Sequence, residues 1–476
     1  MKISQILLLL GAIGMQLLWI SCQKNSWDDP AGNQKLPEPE APVVDAAYTN
    51  VSDPTIASDG TNYFIISSNA SIEGITYQKG LMYRKTTDLV TFEGMSDDNA
   101  YVLSDVIDGW AATRIKTLDP SVSDDAIKIG QPCLRHIANE WRLYYTVSAG
   151  TKASIIGYAT AVSPEGPWQD QGEILSSTPT STFAAFGPSV CLSTDGTALY
   201  MAYGNSGDGI FLTELDLTTN KPKGAAVKAA FRNDAAICQN AELFTYGGYY
   251  HLLFTHINGD NNLTCHAESA SPLGSYKDFT GRNAAGITDF WNITRVLTDH
   301  QLVNSTTWTG ISGVGVCQNG DQFYVVHHAK ATSTSAPILH IREMHWIEDI
   351  RRVNGPNLPV PAISPERFAG VIENNVTAAD LTGDWNFGTL WGHVLSGIND
   401  PMAFSTGGTY DGGSWDFNSG THILHLSSTE WGGEQVYLYI SKGQDWDKEK
   451  AVTLLGSGVN DTFGDHPGDW MKKNSL

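Results

Sequence analysis

The side chains that could do chemistry in this sequence are carboxylates near the start of predicted strands. Asp53 precedes Pro54 and an apolar run, Glu242 lies within a similar run, and Asp119 stands in the segment LDPSV. Two carboxyl groups that face each other across a pocket can act as general base and general acid. Because Asp-Pro is also a common start of a turn, Asp53 on its own could be structural. The chemistry therefore depends on the elements that bring these residues together.

The segment that contains Asp53 recurs along the chain and predicts the architecture. It consists of a short apolar strand, a turn at Asp59-Gly60 and an alternating strand that returns. Further copies begin near residues 132, 187, 241 and 315. A spacing of roughly 50 residues is typical of a propeller blade of about four antiparallel strands. We therefore predict an all-β fold with a five-bladed β-propeller and with Asp53 in a pocket on its axis.

Composition limits the partners that this protein could bind. The 476 residues are enough for two or three domains, and the formal net charge is −22. Nucleic acids and anionic membranes bind clustered Lys and Arg, so this charge argues against both. A neutral sugar is compatible with it. The 14 Trp and 18 Tyr could stack on sugar rings, although aromatic residues in an all-β protein more often pack in the core.

The first 22 residues predict an export signal. Lys2 is followed by an apolar run over residues 6–20, which is short for a membrane span, and then by Ser21-Cys22. This ending resembles a bacterial lipobox, which implies acylation of Cys22 and a lipid anchor in the outer membrane or at the cell surface. Secretion with an unmodified Cys22 is the alternative. Residues 23–44 contain four prolines among polar residues, which predicts a disordered tether.

The other cysteines are predicted to be buried thiols. An odd number of them cannot be fully paired, and most lie on or beside predicted inner strands, where Cys packs as a small apolar residue. They are Cys133, Cys191, Cys238, Cys265 and Cys317. Their spacing does not suggest zinc.

Several segments in chain order resemble glycoside hydrolase family 43. They are TTDLVTF at 86–92, IGYAT at 156–160, SPEGPW at 163–168, GIFLTELD at 209–216, SASPLGSY at 269–276 and SPERFAG at 364–370. The resemblance covers roughly residues 45–370. It implies an endo-arabinanase-like propeller that hydrolyses arabinan or a related plant cell-wall polysaccharide with inversion.

Residues 372–476 predict a second domain after a propeller of residues 45–371. This part is rich in Gly and Trp, and it contains alternating runs such as HILHL at 422–426 and QVYLYI at 435–440. Alternation of this kind is typical of half-buried antiparallel strands, so we predict a small β-barrel or sandwich. The resemblance implies an accessory domain, for which packing and sugar binding are both open.

The resemblance assigns a role to Asp53 and leaves the other catalytic positions in doubt. The family places its general base in the first blade as an Asp before Pro, which matches Asp53. Its third-blade aspartate, which tunes the acid, is replaced by Gly187, and its second-blade aspartate by Cys133. Counting back from the return strand of blade four places Gln239 at the general acid. An amide cannot deliver a proton as a carboxylic acid can.

Three carboxylates could take the place of the missing acid. Glu242 follows Gln239 by three residues and should face the opposite side of the strand unless a bulge intervenes. Asp234 could reach the mouth of the pocket from a loop. Asp119 precedes the second blade and could enter the pocket from there.

His328 and Trp308 are further candidates on the fifth blade. The run VHHA at 326–329 resembles the family's YHA, whose His lies on the axis and helps to hold calcium, which implies a calcium ligand at His328. Calcium prefers several oxygen ligands, so an axial His that is only hydrogen-bonded is equally open. Trp308 could stack on a sugar ring or pack in the core.

Two functions follow from these residues. The first is a family-43-like hydrolase with Asp53 as general base and an acid still to be identified. The second is a propeller that binds the same oligo- or polysaccharide without hydrolysing it. In both cases the membrane is a partner only through the N-terminal lipid.

Overall fold

The computed structural model describes most of the chain from residue 48 onward. The described ranges are 48–69, 79–93, 101–231, 237–258, 261–287, 293–302, 307–331, 336–347, 358–363, 372–389, 400–429, 433–445, 451–460 and 468–474. The export signal with Cys22, the tether, Asp234, the SPERFAG segment and the predicted domain boundary at 371 lie outside them. Within these ranges, no helix is long and apolar enough to cross a membrane.

The first part of the chain folds into five antiparallel sheets of four strands each. Blade one contains β1 (Val51–Ser58), β2 (Tyr63–Asn69), β3 (Leu81–Thr86) and β4 (Tyr101–Val102). Blade two contains β5 (Lys128–Ile137), β6 (Glu140–Ser148), β7 (Ser154–Ala161) and β8 (Gln169–Ser177). Blade three contains β9 (Ser189–Leu192), β10 (Leu199–Tyr203), β11 (Ile210–Leu215) and β12 (Val227–Ala230).

The last two blades repeat the same order of strands. Blade four contains β13 (Ile237–Tyr246), β14 (Tyr249–Asn258), β15 (Asn261–Ser269) and β16 (Arg295–Thr298). Blade five contains β17 (Trp308–Asn319), β18 (Gln322–Ala331), β19 (Ile338–Ile347) and β20 (Leu358–Pro361). The first strands of successive blades contact each other, and β17 contacts β1. The sheets therefore close into a ring, which confirms the predicted five-bladed propeller.

The hairpins form where the sequence carries turn residues. In blade one, Oδ1 of Asp59 accepts the N–H groups of Thr61 and Asn62 at 2.9 and 2.7 Å. Gly60 follows with a φ of 96°, which only glycine adopts easily. These contacts turn β1 back into β2, which is buried along its whole length. Asp59 is therefore a turn residue, as its position before Gly60 predicts.

Two short helices separate blades one and two. They are α1 (Ser104–Asp108) and α2 (Trp110–Leu118). Trp110 donates to Asp170 at 2.6 Å and Arg114 pairs with Glu173 at 2.8 Å, so α2 lies against blade two. The described 3₁₀ turns are Asp124–Ala126, Ser206–Asp208, Ala284–Gly286 and Ala378–Leu381.

A short clasp joins the beginning of blade one to blade five. The N–H of Leu339 donates to the carbonyl of Tyr48 at 2.8 Å, and the N–H of Val51 donates to the carbonyl of Pro337 at 3.3 Å. Each blade is built from consecutive strands, so these bonds and the packing of β1 on β17 close the ring.

The second domain is an eight-stranded, nearly closed sheet, which confirms the predicted small β domain. Its strands are β21 (Gly383–Thr389), β22 (Asp400–Phe404), β23 (Thr409–Tyr410), β24 (Gly413–Asn418), β25 (Ile423–Ser428), β26 (Gln435–Asp445), β27 (Ala451–Asn460) and β28 (Gly468–Lys473). The order is β22-β21-β28-β27-β26-β25-β24-β23. Trp385 is completely buried in its core. The domain packs on blade five, where the rings of His345 and Tyr439 stack at 3.8 Å.

All five cysteines from Cys133 onward are buried as thiols, which confirms that prediction. Cys133, Cys191, Cys238 and Cys317 lie on first strands of their blades. Burial raises the pKa of Cys133 to about 11, so this thiol is protonated and unreactive near neutral pH.

Candidate functional site

The first strands of the five blades meet around a pocket on the propeller axis. The pocket encloses about 310 Å³, including space open to solvent, and every blade contributes residues that lie in its first strand or, in blade three, directly before it. Each contribution is a short segment: 53–55, 131–132, 187–188, 240–242 and 313–315. The predicted pocket with Asp53 in its wall is therefore present.

The same backbone kink places one residue of each blade at the axis. The residues with this left-handed backbone are Asp53 (φ 48°), Gln131 (52°), Gly187 (61°), Asn240 (53°) and Gly313 (66°). In β1, β5, β13 and β17 the pairing with the next strand skips at this point, which marks a bulge. A bulge turns a side chain out of the regular alternation of a strand. The five positions are therefore equivalent, and the side chains that reach the axis are those of Asp, Gln and Asn.

Gly313 has no room for a side chain because of Asp53. A methyl group at this position would lie 2.5 Å from Cα and 2.7 Å from Oδ1 of Asp53. The left-handed φ of Gly313 also disfavours any other residue. Blade five thus supplies bare backbone against which the Asp53 side chain lies.

A series of four hydrogen bonds links neighbouring blades from blade one to blade five. Each acceptor lies two residues beyond the kink of its own blade: Leu134 N to Thr55 Oγ1 (3.1 Å), Val190 N to Cys133 Sγ (3.3 Å), Leu243 N to Ser189 Oγ (2.8 Å) and Val316 N to Glu242 Oε1 (3.0 Å). Glu242 and Cys133 are the acceptors of their blades in this series. Both side chains therefore hold neighbouring blades together.

Glu242 is further fixed by an ion pair. Its carboxylate accepts from Arg135 at 2.7 Å and from Ser189 at 2.7 Å, and its side chain is 5% exposed. With the Val316 N–H, three donors hold the negative charge of Glu242. The prediction that Glu242 faces away from the pocket side is wrong, because the bulge between Gln239 and Glu242 shifts the alternation. Glu242 borders the pocket, but in this arrangement it is a structural carboxylate.

Asp53 presents a carboxylate whose partners are neutral groups. Oδ2 accepts from the hydroxyl of Ser52 at 2.9 Å, and Oδ1 accepts from Nδ2 of Asn240 at 3.1 Å. Burial raises the pKa of Asp53 above its ordinary value, against the opposing effects of His328 and of the Ser52 hydrogen bond. A carboxylate with a raised pKa accepts protons more readily than an ordinary aspartate, which suits a general base.

His328 positions the backbone of Asp53. Its Nδ1 accepts the N–H of Asp53 at 3.0 Å. Ser68 and Thr146 do the same in the next two blades, where their hydroxyls accept from Gln131 N at 2.8 Å and from Gly187 N at 2.9 Å. Burial lowers the pKa of His328, so the ring is neutral near pH 7.

The groups that line the pocket do not form a calcium cage by themselves. Since Nδ1 of His328 already accepts a hydrogen bond, the hydrogen of the neutral ring lies on Nε2, and no lone pair is left for a cation. Calcium takes about six to eight oxygen ligands, and Glu242 is occupied by Arg135. We therefore assign no chemical step to calcium, and calcium binding at His328 stays a prediction.

Asn240, rather than Gln239, stands at the pocket position of blade four. Gln239 pairs with Thr255 in the regular part of the sheet. Asn240 donates to Asp53 and, at 2.7 Å, to Ser312, while its Oδ1 is buried without a hydrogen-bond partner in the described part of the chain. Tyr250, and not Tyr249, is the counterpart of Tyr63, because this hairpin is longer by one residue pair. Counting back along blade four therefore has to start at Tyr250, which gives Asn240, so the prediction of Gln239 is off by one residue.

Two predicted substrate-binding residues lie away from the pocket. Asp119 follows α2, where its carboxylate accepts from the N–H and hydroxyl of Ser121 at 3.1 and 2.6 Å. Trp308 is buried in a cluster between blades four and five, with its ring 4.4 Å from that of His340. The hypothesis that Asp119 enters the pocket is wrong, and Trp308 takes the alternative role of core packing. Gly187 lines the pocket, whereas Cys133 does not line it and is buried between blades two and three.

Comparisons with known proteins agree with this architecture. The model for the Glycosyl hydrolases family 43 matches residues 40–350. An extracellular endo-α-(1→5)-L-arabinanase of Bacillus subtilis is 26% identical over 319 residues, which are 64% of this chain and 88% of that protein.

Solved structures extend the likeness of fold to both domains. A family 43 glycoside hydrolase of Bacillus licheniformis superposes with a TM-score of 0.73 at 17% identity, over 90% of this chain and 99% of that one. An endo-1,5-α-L-arabinanase of Thermotoga petrophila gives a TM-score of 0.73 at 16% identity, over 90% of this chain and 98% of that one. With a propeller of five blades, an axial aspartate and a family match over most of its length, this chain belongs to glycosyl hydrolase family 43.

Proposed function

We propose that this protein hydrolyses arabinan or a closely related plant cell-wall polysaccharide at the axial pocket, with Asp53 as general base. The observation that carries the proposal is the placement of Asp53, which lies at the kink of blade one with its carboxylate bound to neutral donors. The Bacillus subtilis relative is named an endo-arabinanase. A structurally similar arabinanase of Cellvibrio cellulosa was solved with arabinohexaose.

In this proposal, Asp53 removes a proton from the water that attacks the anomeric carbon. The general acid must donate a proton to the leaving oxygen, and its carboxyl group must lie about 6.5–9.5 Å from that of Asp53. Asn240 cannot supply that proton, and the carboxyl group of Glu242 is paired with Arg135. The acid therefore has to come from a residue beyond those that contact Asp53.

A second candidate is glycan binding without turnover. It is favoured by Asn240, because the side chain that blade four brings into contact with Asp53 is an amide, which cannot donate a proton as a carboxylic acid can. The neutral side chains of Gln131 and Asn240 in the same pocket suit hydrogen bonds to sugar hydroxyls. The overall negative charge of the chain does not repel a neutral sugar.

One experiment separates the two candidates. Product release from linear arabinan and binding of arabino-oligosaccharides by calorimetry are measured on the native chain, on Asp53→Asn and on Asp59→Asn. Asp59 is a turn residue outside the pocket, so its variant should behave like the native chain. Release of product that stops in Asp53→Asn supports the hydrolase, whereas heat of binding without any product supports the second candidate. If no arabinan or xylan oligomer gives either product or heat of binding, both candidates are wrong.

We also propose that the protein is exported, since the Bacillus subtilis relative is an extracellular enzyme and residues 1–22 have the pattern of an export signal. Acylation of Cys22 and an outer-membrane anchor remain part of this proposal. Incorporation of labelled palmitate into the native chain, and its loss in Cys22→Ala, is the expected result. A labelled Cys22→Ala variant would contradict it.

A further inference from the structure

A second group of polar side chains lies on blade four, away from the axial pocket. His251 lies on β14, and His266 and Glu268 lie on β15. All three share one face of the sheet, because His251 pairs with Glu268 and the residue two positions after His251, Leu253, pairs with His266. His251 also pairs with Phe244, toward the end of β13 that is remote from Asn240. The axial pocket therefore uses none of these three residues.

The three residues bring their ligand atoms together. One nitrogen from each His and one oxygen from Glu268 all lie within 4.8 Å of one another. Nδ1 of His251 and Nε2 of His266 are 3.0 Å apart. Two nitrogens bound to one zinc ion at about 2.0–2.1 Å would be separated by only slightly more in a tetrahedral site. The separation of the two nitrogens is therefore close to that of two histidine ligands on one ion.

A backbone contact orients the first ligand. Nε2 of His251 lies 3.3 Å from the carbonyl oxygen of Tyr246, to which it donates its hydrogen. The lone pair on Nδ1 then points to His266. Metal-binding histidines usually have their second nitrogen bonded to a carbonyl or a carboxylate in this way.

We propose that His251, His266 and Glu268 form a binding site for a divalent transition metal of the zinc class. Imidazole nitrogens with one carboxylate favour zinc and its neighbours over calcium, which prefers oxygen ligands alone. The ion takes the place of the hydrogen between the two rings, and the hydrogen of His266 moves to its other nitrogen, so both rings stay neutral. A water molecule completes the tetrahedron.

The surroundings indicate a structural role for this metal. All three side chains are buried, and the rings of Phe244 and Trp346 lie 5.3 and 5.2 Å from that of His251. The ion would cross-link β14 and β15 close to blade five. Because solvent reaches this place poorly, it is expected to bind during folding and to exchange slowly.

The test uses the tag-free full chain, refolded after removal of metals with a chelator. Zinc titration by calorimetry is expected to show one equivalent bound, and cobalt should give the visible absorption of a tetrahedral site. Glu268→Gln keeps the shape and should weaken zinc binding at least tenfold. His425→Gln is the control, since His425 pairs with Asp416 in the other domain.

Thermal unfolding with and without zinc provides a second readout, independent of activity on glycans. Zinc should raise the melting temperature of the native chain and of His425→Gln but not of Glu268→Gln. If the native chain binds no stoichiometric zinc or cobalt, or if a folded Glu268→Gln binds as tightly as the native chain, the three residues form only a hydrogen-bonded cluster and the proposal is wrong.

Discussion

Asn240 and Asp53 are hydrogen-bonded across the propeller axis, with Nδ2 of Asn240 3.1 Å from Oδ1 of Asp53. The two residues occupy equivalent kinks in blades four and one. An inverting glycosidase holds its two carboxyl groups about 6.5–9.5 Å apart to leave room for a water. A side chain in contact with Asp53 leaves no such room. Asn240 therefore steadies the carboxylate of Asp53, and it does not stand opposite it as an acid would.

Replacing Asn240 with Asp should place two carboxylates in direct contact. Each would raise the pKa of the other, and Asp53 would lose a donor, which costs about 1.5–3 kcal/mol for a charged group. The loss of unfolding free energy should be largest near neutral pH and shrink as the pH falls and one carboxyl becomes protonated. Denaturant unfolding across pH measures this. Asn240→Ala removes the donor without adding a charge. Its loss of unfolding free energy should therefore not shrink in the same way as the pH falls.

Asp53→Asn should stabilise the fold at neutral pH. The pKa of Asp53 is raised above 3.8 by burial, so the folded protein holds this proton more tightly than the unfolded chain. A raised carboxyl pKa stabilises the fold below the unfolded pKa, and this stabilisation is lost as the pH rises through the folded pKa. The melting temperature of Asp53→Asn should therefore exceed that of the native chain at pH 7, and the difference should vanish near pH 4. Equal melting temperatures at both pH values would contradict the raised pKa.

Gly313 and Gly310 offer a matched pair for testing the packing of the pocket wall. Both lie in β17 with a φ of 66°, but a methyl group at Gly313 would meet Asp53 at 2.5 Å, and one at Gly310 would meet nothing within 4 Å. Gly310→Ala should cost only the left-handed strain of about 1–2 kcal/mol. Gly313→Ala should cost more and should also abolish glycan binding or hydrolysis. Equal losses of stability in urea would show that Asp53 is not held against this backbone.

Arg135→Met should be strongly destabilising, because it leaves Glu242 charged and buried. Removal of one partner from a buried pair typically costs about 3–5 kcal/mol. The comparison is Arg114→Met, whose pair with Glu173 is 38% and 27% exposed and should contribute about 0–1 kcal/mol. Adding Glu242→Gln to Arg135→Met should recover part of the loss, since the amide oxygen can still accept from Val316. Chemical unfolding of the native chain and the three variants decides this, and no recovery in the double variant would count against the ion pair.

Sequence reasoning found the blades because each hairpin carries its own local signals. Alternating apolar residues and turn glycines indicate where each strand begins and ends. Few folds other than a five-bladed propeller are compatible with five such repeats. The helices α1 and α2 were missed although Val106, Ile107, Trp110, Ala111 and Ile115 have helical spacing. They lie between blades, where the repeat gives no information.

The candidate site was predicted less well because bulges break the period of a strand. Alternation placed Glu242 and Gln239 on opposite faces, and the kink at Asn240 reverses this. A better signal was present: an apolar residue follows each kink by three positions, as Ile56 follows Asp53 and Leu243 follows Asn240. Counting from that residue identifies Asn240. The position of Trp308 depended on contacts between blades, which no local pattern encodes.

The clasp between Tyr48 and Leu339 marks the place where the two ends of the propeller chain meet. The bond between Asp53 and His328 and the contact with Gly313 cross this same boundary. A chain that has folded blades one to four but has not yet docked the fifth therefore has no assembled pocket. Any sugar that binds there selects the closed ring over open forms, so its free energy of binding adds to the cooperativity of the whole propeller.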